Sequence, residues 1–354
     1  MATAQPPVAH KRIYLDHAAT TPICSAARAA MEKALDGWAN PSSPHAEGRA
    51  ARAALEDARR RIVQALGWDG HVVFTSGATE AIAIGLARST VHRIVTSPVE
   101  HDAVLRVTPD ACRLPVDEHG SVTEAVPGAL HAIQHVNNET GVVQPIGALA
   151  ARIHDEGGAL FCDCAQSAGK LEIPPVADMI AISAHKFGGP PGIGALLIRD
   201  LSLLQPSGGQ EQGYRGGTEN VPGAVAMAAA LESGKAWLRE VGKLRTMLDE
   251  AIEASGGQTV CRDADRIPTI TSYRMPGVSA RAQLIRFDMA GIAISAGAAC
   301  SSGTLRASGV LKALGWSEQA AGEVIRVSFG PATDENDIRA FLAVWQDMAG
   351  TRAA

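Results

Sequence analysis

Short apolar runs alternate with helical patterns through the first half of this chain and beyond, and that alternation restricts the fold more than any other feature. HVVFTS precedes TEAIAIGLA, RIVTSPV precedes HDAVLRV, and AIQHVN precedes IGALAARIHDEG; the strand-like runs ALFCDC, MIAISA and ALLIRD follow. Apolar stretches of roughly four to eight residues separated by helices are the pattern of βα units, whose strands are buried on both faces of a mostly parallel sheet. A long helical pattern from about Val221 to Ala254 comes next. Beyond it, QTVC, TITSYRM, IAISAG and VIRVSF read as strands, with helices at SARAQLIRFDMA and DENDIRAFLAVWQDM. The expected class is α/β, with a large, mostly parallel domain over residues 13–239. A smaller α+β domain takes residues 240–354 together with 1–12, and the boundary falls within the long helix.

At 354 residues the chain is long enough for two cores. Only 4% of it is aromatic while Ala and Gly are abundant, which favours close helix-on-sheet packing over a β-sandwich. A net charge of -5 gives no nucleic-acid surface. The arginines between Arg49 and Arg61 alternate with Glu56 and Asp57 and read as a solvated helix face. Six cysteines, Cys24, Cys112, Cys162, Cys164, Cys261 and Cys300, form neither a CxxC pair nor a zinc spacing, so reduced thiols and no metal site are expected. MATAQPPVAHKR has no apolar signal core, and no apolar run has the length of a membrane span. The expectation is a cytoplasmic, soluble protein.

Ligands of open α/β sheets bind beyond the carboxyl ends of the strands, so the polar residues there carry the functional information. The first βα turn, TSGATE, lacks GxGxxG, which argues against a nicotinamide cofactor. Its Gly77 and Thr79 suit a phosphate at a helix start, although an ordinary threonine cap reads the same way. In ALFCDCAQS, alternation puts Cys162 and Cys164 on one face, as packed thiols, and Phe161 and Asp163 on the other. A partly buried Asp163 needs a cation: a protonated pyridine nitrogen answers that need, and so does a structural salt bridge. Gln166 lies within reach of the same group. Lys186, in SAHKFGGPPGIGALLI, follows an apolar strand and precedes glycines that let the backbone approach a ligand. A lysine partly desolvated there suits Schiff-base chemistry, with Ser183 and His185 adding polar contacts. Cys300 stands among Ala, Ser and Gly in AISAGAACSSGTLRASG, a composition that favours an exposed loop and a reactive thiol.

Ten segments taken together resemble the cysteine desulfurases that depend on pyridoxal 5′-phosphate (PLP), enzymes of fold type I grouped with the class V aminotransferases. They are YLDHAATTP (14–22), NPSSPHAEGR (40–49), FTSGATE (74–80), EHDAV (100–104), HVNNETGVVQPI (135–146), DCAQSAGK (163–170), SAHKFGGPPGIGAL (183–196), RGGTEN (215–220), SAGAACSSGTL (295–305) and VIRVSFG (324–330), in the family's order. The resemblance implies that Lys186 holds PLP as a Schiff base, Asp163 pairs with the pyridine nitrogen, Gln166 meets the ring oxygen and His101 stacks on the ring and moves protons. It further implies a phosphate held by Ala78, Thr79, Ser183 and His185, joined by Thr218 from the other subunit of a homodimer. Asn138 and Arg326 would orient the carboxylate of L-cysteine, and Cys300 would take its sulfur as a persulfide. The Cys300 loop resembles the group with a long mobile loop, whose members pass sulfur to acceptor proteins in iron–sulfur cluster or thiolation pathways and can touch a partner's cluster. Two departures stand out. Ala81-Ile82-Ala83-Ile84 follows ATE where an asparagine is frequent, and the last helix is followed by less chain than the scaffold-docking tail of housekeeping members. Selenocysteine lyase or a related β-eliminating enzyme, or a non-catalytic PLP-fold binding partner, stand as alternatives.

Overall fold

A computed structural model describes residues 12–299, 305–306 and 308–350. In chain order the strands are β1 (Ile13–Tyr14), β2 (His71–Thr75), β3 (Ile94–Thr96), β4 (Cys112–Arg113), β5 (Leu130–Gln134), β6 (Ala159–Asp163), β7 (Met179–Ser183), β8 (Gly194–Ile198), β9 (Gln258–Thr259), β10 (Ile270–Arg274), β11 (Ile292–Ala293), β12 (Ala298–Ala299), β13 (Leu305–Arg306) and β14 (Val324–Ser328). The α-helices are α1 (Ser25–Leu35), α2 (Ala46–Leu66), α3 (Ala78–Ala87), α4 (Asp102–Val107), α5 (Ile146–Asp155), α6 (Val221–Leu231), α7 (Trp237–Ala254), α8 (Ala280–Met289), α9 (Gly309–Ala313), α10 (Glu318–Ala321) and α11 (Glu335–Gly350).

Seven strands form one sheet in the order β2-β8-β7-β6-β5-β3-β4. Only β8 runs against its neighbours, β7 and β2; the remaining pairs are parallel, as the alternation predicts. Every residue of β5, β6, β7 and β8 is buried, because helices cover both faces. On one face α2 lays down Ala51, Leu55, Ala58 and Ile62, spaced three or four apart, and α6 joins the same core. On the other face α3 packs against Phe161 and Leu196. Cys162 and Cys164 belong to the first core and Phe161 to the second, which is the division that strand alternation predicts.

A separate apolar core joins α7, α8 and α11 to β10 and β14, centred on Tyr273, Phe287, Phe341 and Trp345. Leu15 enters this core and β1 pairs with β11, so the beginning of the described chain is tied to its far end. The single long helix expected from Val221 to Ala254 is two helices. Gly234, with φ at +81°, breaks it between α6 and α7, a left-handed conformation that glycine adopts without a Cβ clash. The expected solvated arginine face also needs correction at Arg59. Its guanidinium lies 4.7 Å from the Phe74 ring centroid and pairs with buried Glu211. Among the described residues, no helix is long and apolar enough to cross a membrane.

Candidate active site

Strands β2, β3, β5, β6 and β7 all point their carboxyl ends at one edge of the sheet, and a cavity of about 310 Å³ opens there. Ala78, Thr79, His101, Asn138, Asp163, Gln166, Ser183, His185 and Lys186 all line it, brought together from five stretches of sequence. Thr218 does not line the cavity and is exposed. Arg326 sits behind the wall, donating from Nη1 to the carbonyl oxygen of Asn138 at 3.0 Å. Cys300 lies outside the described residues.

Lys186 closes a 3₁₀ turn that begins where β7 ends. Its Nζ donates to the carbonyl oxygens of Ala18, at 2.7 Å, and Ala19, at 2.9 Å. Burial pushes its pKa down to about 8, helped by the Arg326 guanidinium and opposed by Asp163 and Asp16. His185 is held at about 4 by burial and by the positive charges of Lys186 and Lys170, and its Nδ1 meets Thr20 Oγ1 at 3.2 Å.

Asp163 ends β6 with its Oδ1 accepting from the backbone of Ala165 at 2.9 Å. Burial raises its pKa, with the backbone hydrogen bond, His101 and Lys186 pulling the other way. It makes no ion pair with a side chain among the described residues. Gln166 donates from Nε2 to the carbonyl oxygen of Ala18 at 2.9 Å, while its Oε1 is buried with no partner among the described residues.

His101 caps α4: its Nδ1 accepts from the backbone of Ala103 at 3.1 Å. That bond places the proton of the neutral ring on Nε2, and burial lowers the pKa so that the neutral ring is favoured. Just before it, Glu100 accepts from Ser97 Oγ at 2.7 Å and from the backbone of Gln134 at 2.8 Å. Burial pushes Glu100 up to about 8.

Helix α3 opens at Gly77, extended at φ 158°, and among the described residues no side chain caps its first turn. Thr79 is therefore not the cap that an ordinary reading would make it. The free N–H groups of the first turn face the cavity with the helix dipole behind them, the arrangement that binds anions.

Sequence reasoning missed the N-terminal segment that braces these side chains. Ala18 and Ala19 act through backbone oxygens, Thr20 through His185, and Asp16 through a 2.9 Å contact from its Oδ1 to Arg326 Nη2. YLDHAATTP belongs to the family resemblance, but a carbonyl acceptor has no residue signature, so the sequence does not reveal the chemistry of the motif.

The model of the aminotransferase class-V family matches residues 13–341. A cysteine desulfurase of Cereibacter sphaeroides is 37% identical over 318 residues, covering 81% of this chain and 82% of that protein. The solved structure of a NifS-like protein from Rickettsia africae superposes with a TM-score of 0.88 at 28% identity, over 96% of this chain and all of the other. A structure of SspA in complex with cysteine gives a TM-score of 0.79 at 30% identity, over 92% of this chain and all of that one. Fold, strand-end cavity and relatives agree: the chain belongs to the class-V aminotransferases and, among them, to the cysteine desulfurases.

Proposed function

We propose that this protein binds PLP in the strand-end cavity and uses it to take sulfur from L-cysteine, leaving L-alanine and a persulfide on Cys300. The observation that carries the reading is Asp163, a buried carboxylate at a strand end, facing a cavity with no cationic side chain paired to it among the described residues. Other features fit the cofactor as well. The uncapped start of α3 suits its phosphate, with Ser183 and His185 beside it, and the unpartnered Oε1 of Gln166 suits a ring hydroxyl. Lys186, with its lowered pKa, suits the carbonyl carbon.

When bound, PLP supplies an electron sink for the bond-breaking at the substrate's α-carbon. The protein supplies the rest. Asp163 keeps the pyridine nitrogen protonated. Lys186 would take the α-proton and later return it to Cα, and His101 would hold the cofactor ring while its Nε2–H stands available to a reacting atom. Arg326 and Asn138 receive the carboxylate. Cys300 attacks as the thiolate: its sulfur bonds to the substrate Sγ as the Cβ–Sγ bond breaks, and Cβ takes up a proton to give alanine. The persulfide sulfur then passes to an acceptor protein. Thr218 serves the neighbouring subunit of a homodimer.

Incubating the purified protein with L-cysteine and a thiol reductant tests the reading. Alanine and sulfide should form in equal amounts, and without reductant Cys300 should gain the mass of one sulfur atom. Cys300→Ser should bind PLP and L-cysteine yet carry no extra sulfur. Turnover of selenocysteine with no turnover of cysteine would replace this reading with a selenocysteine lyase, and turnover of neither would leave a binding protein.

A further inference from the structure

Arg326 is held from two sides before any substrate arrives. Its Nη1 donates to the carbonyl oxygen of Asn138 at 3.0 Å and its Nη2 to Asp16 Oδ1 at 2.9 Å. Its Nε is buried and has no partner among the described residues. A buried N–H left without an acceptor is unusual, because an unmade hydrogen bond of that kind is costly. The guanidinium therefore keeps its buried Nε–H in reserve, next to a cavity lined by Asn138.

The clamp is built on paired backbone. Asp16 forms a parallel bridge with Ser328, two residues beyond Arg326 on β14. The backbone of Ala18 donates to Ser328 Oγ at 2.8 Å. On the other side, Arg326 exchanges backbone hydrogen bonds with Ser295 and faces Ser272 on β10. Both ends of the Asp16–Arg326 contact are thus fixed by strand pairing, and the side chains are 21% and 8% exposed. Rigid support of this kind sets the plane of a guanidinium, and a planar donor discriminates by orientation.

We propose that Asp16 is the positioning residue for substrate-carboxylate recognition: it fixes the Arg326 plane so that the Nε–H edge is presented to an α-carboxylate. The proposal rests on the reading that Arg326 receives that carboxylate. Asp16 itself touches neither substrate nor cofactor in this role.

The test uses the PLP-loaded protein and two probes, L-cysteine for steady-state kinetics and L-alanine for binding, followed by the change in cofactor absorbance. Asp16→Ala should raise KM for cysteine and Kd for alanine about tenfold with kcat changed less than about twofold, and Asp16→Asn should raise them less. Cysteamine, which lacks the carboxylate, separates positioning from general damage: its binding should be unchanged in both variants. Equal weakening of cysteamine and cysteine would make Asp16 merely structural and overturn the proposal. So would an unchanged KM in Asp16→Ala while Arg326→Ala raises it. An unchanged KM in Arg326→Ala as well would instead remove the carboxylate reading and this proposal with it. Asp16→Asn, which keeps the size and one acceptor, carries the test if Asp16→Ala fails to fold.

Discussion

The ammonium of Lys186 donates to the carbonyl oxygen of Ala18 at 2.7 Å, and the same oxygen accepts from Gln166 Nε2 at 2.9 Å. One backbone atom of the N-terminal segment thus ties together two residues that come from different strand ends. Carbonyl acceptors favour the charged lysine, yet burial outweighs them and the pKa stays near 8. An amine so easily deprotonated is suited to condensing with an aldehyde near neutral pH.

Reduction of the PLP-loaded protein with borohydride should therefore fix the cofactor covalently to Lys186, read from the mass of the peptide that contains it. Lys186→Ala should lose that attachment and turnover. Lys170 is the buried alternative, with its own pKa lowered to about 7 by burial and by Lys186. Label found on Lys170, or retained in Lys186→Ala, would overturn the assignment.

The lowered pKa also makes a prediction for cofactor-free protein. Lys186 ordinarily titrates at 10.5 and in the folded chain at about 8. Below pH 8 both states hold the proton and the cost of burying the charge is complete. Between pH 8 and 10.5 the unfolded chain binds the proton and the folded one does not, so stability should rise with pH across that window. Lys170 adds a rise of the same sign beginning near pH 7. Urea midpoints measured from pH 7 to 10.5 should show the rise, and Lys186→Met should flatten its upper part. An equal slope in both proteins would mean that Lys186 is not the titrating group.

A different residue carries the stability of the loop that bears Thr218. Glu211 is fully buried and accepts from Arg59 Nη1 at 2.9 Å, from Arg59 Nη2 at 3.0 Å and from the backbone of Phe74 at 2.8 Å. It stands in the left-handed region at φ +48°, followed by Gln212 at +58° and Gly213 at +88°. Non-glycine residues in that region are strained, and here the buried carboxylate holds them in place. Glu211→Ala leaves Arg59 without its buried counter-charge and should cost roughly 3–5 kcal/mol in chemical denaturation. Adding Arg59→Met should recover part of the loss. A loss below about 1 kcal/mol would show that the pair is solvated.

The parts of the site that could be read in the sequence are those in which a side chain announces its chemistry. Asp163 and Lys186 are charged residues at the ends of apolar strands, and Gly77 marks a turn before a helix. Asp16 carries a charge too, but its partner lies 310 positions away, and only the pairing of its backbone with β14 brings them together. Ala18 and Ala19 contribute oxygens that every residue possesses. Arg59 fits helical periodicity as a solvated position because nothing local reveals that Glu211 arrives from another segment. The break between α6 and α7 turns on Gly234, which a periodic helical pattern on either side conceals.

Thr218 supplies the last prediction. It lies on an exposed loop whose neighbour Arg215 pairs with Glu80, Nε to Oε1 at 3.0 Å, in the first turn of α3. The loop is therefore anchored beside the proposed phosphate site of its own chain, while Thr218 is exposed and does not line that cavity. On the proposed reading its hydroxyl serves a phosphate in a neighbouring chain, so each site is expected to need two subunits. Lys186→Ala chains and Thr218→Trp chains should each be inactive alone. Mixed and allowed to exchange, they form heterodimers in which one site carries both defects and the other carries neither. Activity should then return to about a quarter of the wild-type value, half the chains being in heterodimers with one working site each. Sedimentation of a fully active monomer, or exchanged chains that recover nothing, would rule out a site shared between subunits.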